Sequence, residues 1–218
     1  MNRYSFARLV GLLIVTVLII TTGFTPEKID VFLKEDQCDF RNNQLTLKEK
    51  EMTNDTSKKR DLVVTRVFNA PLALVWKAWS DPEYVMKWWG PTGFTSPTCK
   101  MDFREGGTSL VCMRAPKEFG GQDMYNTWTY QKIVSMEFIE YIFDWADKDG
   151  KRIDPDSIGL PPDIPRDMRH TVTFKDLGNG KTEMTMTEFG YISDQLYDLS
   201  KAGLEQCLDK MGAIFTKG

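Results

Sequence analysis

The residues able to carry chemistry are few. His170 is the only histidine in the chain. A general base of the triad type needs a nucleophile and an orienting carboxylate within reach. Nothing at recognisable spacing supplies them, so a structural or exposed histidine beside Arg169 is the favoured reading. Cys38, Cys99, Cys112 and Cys207 show no C-x-x-C spacing, and with a single histidine they do not compose a zinc cluster. Glu140, Asp144 and Glu188 stand in strand-like runs. A carboxyl turned inward there would have a raised pKa and could act as the base of a cyclase-like reaction, whereas solvent-facing strand charge is the commoner arrangement. The chain contains no G-x-S-x-G, phosphate-cradling P-loop, H-E-x-x-H or dinucleotide fingerprint, so neither metal nor cofactor is expected.

Asp102-x-Arg104-x-Gly106-Gly107 invites a catalytic reading, but its simpler role is architectural. The glycines allow a turn, and Asp102 and Arg104, two apart, share a face from which either can pair across a hairpin. Ser96 to Arg104 and Thr108 to Arg114 are the strands predicted on either side. A Glu105-Gly106 loop sets Cys99 opposite Cys112, and a Gly106-Gly107 loop sets it opposite Arg114. Both registers put the two cysteines on the same side of the sheet. Two buried small residues are the favoured reading, with a disulfide only if the domain is exported.

These groups must be positioned by an α+β arrangement. Leu62 to Phe68 is β-branched and short, hence a first strand. Asn69 to Pro91 then reads as two short helices: Leu72, Val75, Trp76 and Trp79 recur at helical spacing, Ser80-Asp81-Pro82 stops one helix and caps the next, and Gly90-Pro91 ends it. Asp123 to Val134 and Phe138 to Trp145 are further strands. In the second, Ile139, Tyr141, Phe143 and Trp145 share one face and Phe138, Glu140, Ile142 and Asp144 the other, as in a strongly bent sheet. Ala146 to Gly150 is a turn, and the Pro-rich run from Asp154 to Pro165 is a long loop without regular structure, a lid or mere decoration. Met168 to Lys175 and Thr182 to Phe189 are strands joined through Gly178-Asn179-Gly180. Ser193 caps a helix reaching Phe215, with Ile192, Leu196, Leu199, Gly203, Cys207, Met211 and Ile214 as its apolar stripe and Leu204, Leu208 and Phe215 widening it. That stripe must lie against the sheet.

The 218 residues suffice for one domain and an extension. A net charge of −3 and a pI near 5.4, without a basic stripe, argue against a nucleic-acid partner. Residues 1–26 have the form of a signal or anchor: Arg3 and Arg8 precede an apolar run over residues 9–24 that would extend about 24 Å as a helix. The small-residue cleavage pattern is missing, which favours an uncleaved membrane anchor with the domain outside. The alternative is a cytoplasmic protein starting at Met52. Residues 27–60 are a charged linker, and residues 61–218 form the domain.

The runs Arg66-Val67-Phe68-Asn69-Ala70-Pro71, Val75-Trp76-Lys77-Ala78-Trp79-Ser80-Asp81-Pro82 and Trp88-Trp89-Gly90-Pro91 resemble the START-like or SRPBCC superfamily. Within it they resemble the branch named for the activator of the heat shock protein 90 ATPase. The resemblance continues through Asp102-x-Arg104-x-Gly106-Gly107 into the last helix, over about residues 61 to 218. It implies the helix-grip fold: a curved antiparallel sheet wrapped around a long C-terminal helix, two short helices after the first strand, and a cavity between sheet and helix. Many such relatives carry Trp where this chain has Leu204, so the cavity is enlarged here or repacked. The function expected is non-catalytic binding of a small hydrophobic molecule, with Trp76, Trp79, Trp88, Trp89, Trp128, Tyr141, Phe143, Leu204 and Leu208 as candidate contacts. Two rivals follow. One is a co-chaperone that stimulates a heat shock protein 90 ATPase, for which no stretch resembles the chaperone-binding domain of the true activators. The other is an enzyme of the polyketide-cyclase or hydrolase kind.

Overall fold

Alternating burial opens the sheet at Arg60–Phe68 (β1), where Leu62, Val64 and Phe68 turn inward while Val63 and Val67 stay in solvent. The computed structural model describes residues 59–158, 160 and 164–216. The expectations for residues 1–26, the apolar run 9–24, the linker up to residue 58 and a start at Met52 lie outside the described residues. Among the described residues no helix is long and apolar enough to cross a membrane.

After β1 come Leu72–Ser80 (α1) and Pro82–Trp88 (α2). The corner between them is set by Asp81, whose carboxylate accepts from the Glu83 N–H at 2.9 Å, with Pro82 in the first helical position. Gly90 leaves α2 at a φ of 93°. A Cβ there would come within 3.0 Å of Phe94 and 3.1 Å of Met113, so only glycine fits this exit.

The remaining strands are Cys99–Lys100 (β2), Thr108–Arg114 (β3), Asp123–Val134 (β4), Phe138–Ala146 (β5), Met168–Gly178 (β6) and Lys181–Tyr191 (β7). They form one seven-stranded sheet in the order β1-β7-β6-β5-β4-β3-β2, antiparallel throughout. Asn179 and Gly180, both at positive φ, close the β6–β7 hairpin. Asp194–Phe215 (α3) follows Ser193, whose Oγ accepts from the Leu196 N–H, and it packs on the inner face against β1, β7 and α2. The fold is therefore the α+β helix grip, with the core between α3 and the concave face of the sheet. Leu196, Leu204, Cys207, Leu208 and Met211 are its buried stripe. Ile192 precedes the helix and is 57% exposed, so it is not part of that stripe.

The structure corrects the expected hairpin around Gly106. β2 is only two residues long and pairs Cys99 with Val111 and Lys100 with Leu110. The chain then loops away over residues 101–107, because β4 takes the turn as its partner. The Gly106 N–H donates to the Tyr130 carbonyl at 2.9 Å and the Tyr130 N–H to the Gly107 carbonyl at 3.0 Å. This register is neither of the two expected, and it puts the cysteines on opposite faces. Cys99 follows Val111 inward, while Cys112 lies on the outer face opposite Tyr125. Both thiols are free.

Described parts of the loop before β6 hold local structure that its proline content does not predict. It contains a 3-10 turn at Pro155–Ile158. Arg166 binds Asp154 at 2.7 Å, and Arg152 binds Asp167 at 2.7 Å and Asp144 at 3.4 Å.

Candidate functional site

The tryptophans divide into a packed group and a wall. Trp79 lies 4.9 Å from Trp88 and 5.9 Å from Trp128, and Trp128 lies 5.4 Å from Tyr141, ring centre to ring centre. All four are fully buried. Trp79 Nε1 donates to Met184 Sδ at 3.2 Å and Trp88 Nε1 to the Ala78 carbonyl at 2.7 Å, so their polar edges are satisfied inside the core. Trp76 packs edge-on to Phe103 and Phe174, and Leu208 is fully buried. Six of the nine candidate contacts thus fill the core.

The other three, Trp89, Phe143 and Leu204, line a cavity of about 270 Å³ between the sheet and α3. Its walls are built one step along each strand from the packed group. On β4 the inner face changes from Trp128 to Asn126, on β6 from Val172 to His170 and Met168, and on β7 from Met186 to Glu188. α3 contributes Leu196, Ser200, Gly203 and Cys207 besides Leu204. Ile164 and Pro165, from the loop before β6, complete the wall.

At this step the sheet changes from apolar to polar. His170 is only 3% exposed and pairs across the sheet with Tyr141 on one side and Glu188 on the other. Its ring stacks on Phe143 at 5.4 Å, and burial pushes its pKa down to about 3, so the imidazole is neutral. Nδ1 lies 3.0 Å from the Tyr141 hydroxyl. If Nδ1 accepts from that hydroxyl, one buried polar atom of the pair stays unpaired; if it donates, both the hydroxyl proton and Nε2 do. The first arrangement is favoured, and it leaves the proton on Nε2.

Glu188 is 8% exposed, and burial raises its pKa to about 7 even though the Tyr191 hydroxyl donates to Oε2. The other two strand carboxylates lie on the outer face: Glu140 binds Arg169 at 2.6 Å, and Asp144 belongs to the Arg152 cluster. Burial pushes the Cys207 thiol up to about 12. Among the described residues no group of His, Cys, Asp and Glu is placed to hold a metal ion.

Reading the sequence did not name Asn126 or Tyr191 and left Trp145 and His170 out of the candidate contacts, while Glu188 was one of three carboxylates weighed as turning inward and alone of the three does so. A signal for two of them was present. Met168, His170, Val172 and Phe174 alternate as one inward face, and Met184, Met186 and Glu188 as another, each with one titratable residue on an otherwise apolar line.

A sheet curled around a C-terminal helix, with a cavity between them, defines a START-like domain. The chain belongs to the family described as Activator of Hsp90 ATPase homolog 1-like protein, which matches residues 69–216. Among solved structures it is similar to a protein of Chromobacterium violaceum, at 25% identity and a TM-score of 0.57 over 71% of this chain and 96% of that one. A protein of Staphylococcus epidermidis is similar at 23% identity and a TM-score of 0.58, over 74% and 92% of the two chains. One from Silicibacter pomeroyi is similar at 18% identity and a TM-score of 0.57, over 72% and 98%. Among curated proteins none matches.

Proposed function

We propose that this protein binds a small, largely apolar molecule between its sheet and its C-terminal helix and performs no reaction on it. The observation that carries the proposal is the cavity of about 270 Å³ walled by Trp89, Phe143, Leu204 and their neighbours. Ligand sites are concave, mostly apolar and furnished with a few polar groups, as this one is. Two features argue against chemistry. His170 has too low a pKa to take up a proton at neutral pH, and Cys207 too high a one to be a thiolate.

Native mass spectrometry of the full-length protein, incubated with an extract of its own cells, tests the proposal. An added mass that is lost on denaturation is expected. A folded protein that acquires no mass would overturn it. The cyclase-like reading has one observation in its favour, Glu188 with a pKa of about 7 in the cavity wall. Under that reading Glu188→Gln abolishes turnover while preserving uptake; equal turnover by both proteins removes it.

A further inference from the structure

Resting on the ligand-binding reading, we propose that the occupant is a neutral ring compound whose carbonyl oxygen accepts hydrogen bonds from Asn126 and Trp145. Four residues of the cavity wall contain buried polar atoms without a partner: Trp89 Nε1, Asn126 Nδ2 and Oδ1, Trp145 Nε1 and His170 Nε2. Buried polar groups are ordinarily paired, so a concentration of unpaired ones around one cavity requires a cause. Their chemistry is one-sided. Both indole nitrogens and the amide nitrogen are donors, and Nε2 is a fourth once Nδ1 accepts from Tyr141. Asn126 Oδ1 alone accepts.

A donor-rich wall calls for an acceptor in the ligand. An ammonium group would face these donors and find acceptors only in Asn126 Oδ1 and Glu188. A carboxylate would stand beside Glu188 and oppose its ionisation, whereas a ketone, quinone or lactone oxygen carries no charge. Position supports the same class. Asn126 and Trp145 are directly paired across β4 and β5, so two donors converge from adjacent strands on one side of the cavity. Trp89 and Phe143 add aromatic surface to the same cavity wall. The cavity of about 270 Å³ admits one or two rings.

The test compares three bicyclic probes of one shape on the full-length protein by calorimetry: α-tetralone, tetralin and the ammonium form of α-aminotetralin. Each hydrogen bond gained over water contributes roughly two- to tenfold in affinity. The ketone is therefore expected to bind at least about threefold tighter than the hydrocarbon, although the hydrocarbon gains more by leaving water. The ammonium should bind weakest. In a proton–nitrogen correlation spectrum the Trp145 indole resonance should move with α-tetralone and stay with tetralin. Trp145→Phe should lower ketone affinity more than hydrocarbon affinity. Tetralin binding tighter than the ketone, or an indole resonance that responds equally to both, would overturn the carbonyl assignment and leave the apolar-binder reading standing. No binding of any probe to folded protein would overturn both.

Discussion

His170 and Glu188 face each other across β6 and β7, and burial moves their pKa values in ways that oppose each other in the pH dependence of stability. Glu188 rises from 4.5 to about 7 on folding. The folded state therefore favours its protonated form, and the stability it contributes is full below pH 4.5 and is lost as pH rises to about 7. His170 falls from 6.5 to about 3. The folded state favours its neutral form, so its contribution is full above pH 6.5 and is lost as pH falls towards 3. Between about pH 5 and 6 unfolding releases one proton from Glu188 and takes up one at His170. The two slopes, each about 1.4 kcal/mol per pH unit, cancel, and this pair leaves the wild type nearly flat.

Single substitutions should expose each half. In Glu188→Gln only the histidine slope remains, so stability relative to wild type should rise with pH by about 1.4 kcal/mol per unit. In His170→Gln only the glutamate slope remains, and relative stability should fall by the same amount. Urea unfolding at several pH values across the window reads both slopes, and differences from wild type remove the contribution of groups all three proteins share, Asp144 among them. Loss of packing shifts a whole curve but does not tilt it. If either variant tracks the wild type in parallel, that residue is not held neutral by burial, and the electrostatic account of the cavity wall is wrong.

Leu204→Trp should fill the cavity from the α3 side, reducing probe affinity at least about tenfold while the far-ultraviolet circular dichroism spectrum is kept; undiminished binding would place the ligand elsewhere. Asp81→Ala removes the cap of α2 and should cost about 1 kcal/mol of unfolding free energy in urea titration. Gly107→Ala brings a Cβ to 2.2 Å from the Asp102 carbonyl oxygen and should cost about 1–3 kcal/mol or more. Reductant should leave the melting temperature unchanged, because Cys99 and Cys112 are free on opposite faces.

The fold was legible where local signals agree with tertiary demands. Pro82 after Asp81, Asn179-Gly180 between two alternating runs, and Ser193 ahead of an apolar stripe each specify a boundary, and the structure sets boundaries at those residues. The Gly106 loop was not legible, because its register depends on Tyr130, a residue of β4 bonding to the turn from outside the hairpin. The candidate site divides in the same way. Aromatic content identified the residues between sheet and helix, but spacing along the chain does not tell which side of the line between Trp128 and Asn126 a ring occupies. Spacing along the chain offers His170 no partners, and a histidine's partners need not lie near it in sequence. Its actual neighbours, Tyr141 and Glu188, come from two other strands.

The position of the polar residues along the strands has an energetic reason. A buried donor without a partner costs about 1–3 kcal/mol, and a whole domain has only about 5–15 kcal/mol of net stability. Among the packed rings the indoles of Trp79 and Trp88 are bonded to Met184 and Ala78, while Trp128 Nε1 is enclosed there without a partner. One step towards the cavity, Asn126, Trp145 and His170 belong to the cavity wall, and side-chain movement brings their buried polar atoms within reach of water or a ligand oxygen. The same polar group is a defect at one end of this core and a recognition element at the other. The apolar fill around Trp79 and Trp88 makes the distinction possible, because it holds the strands that set the distance between the cavity's donors.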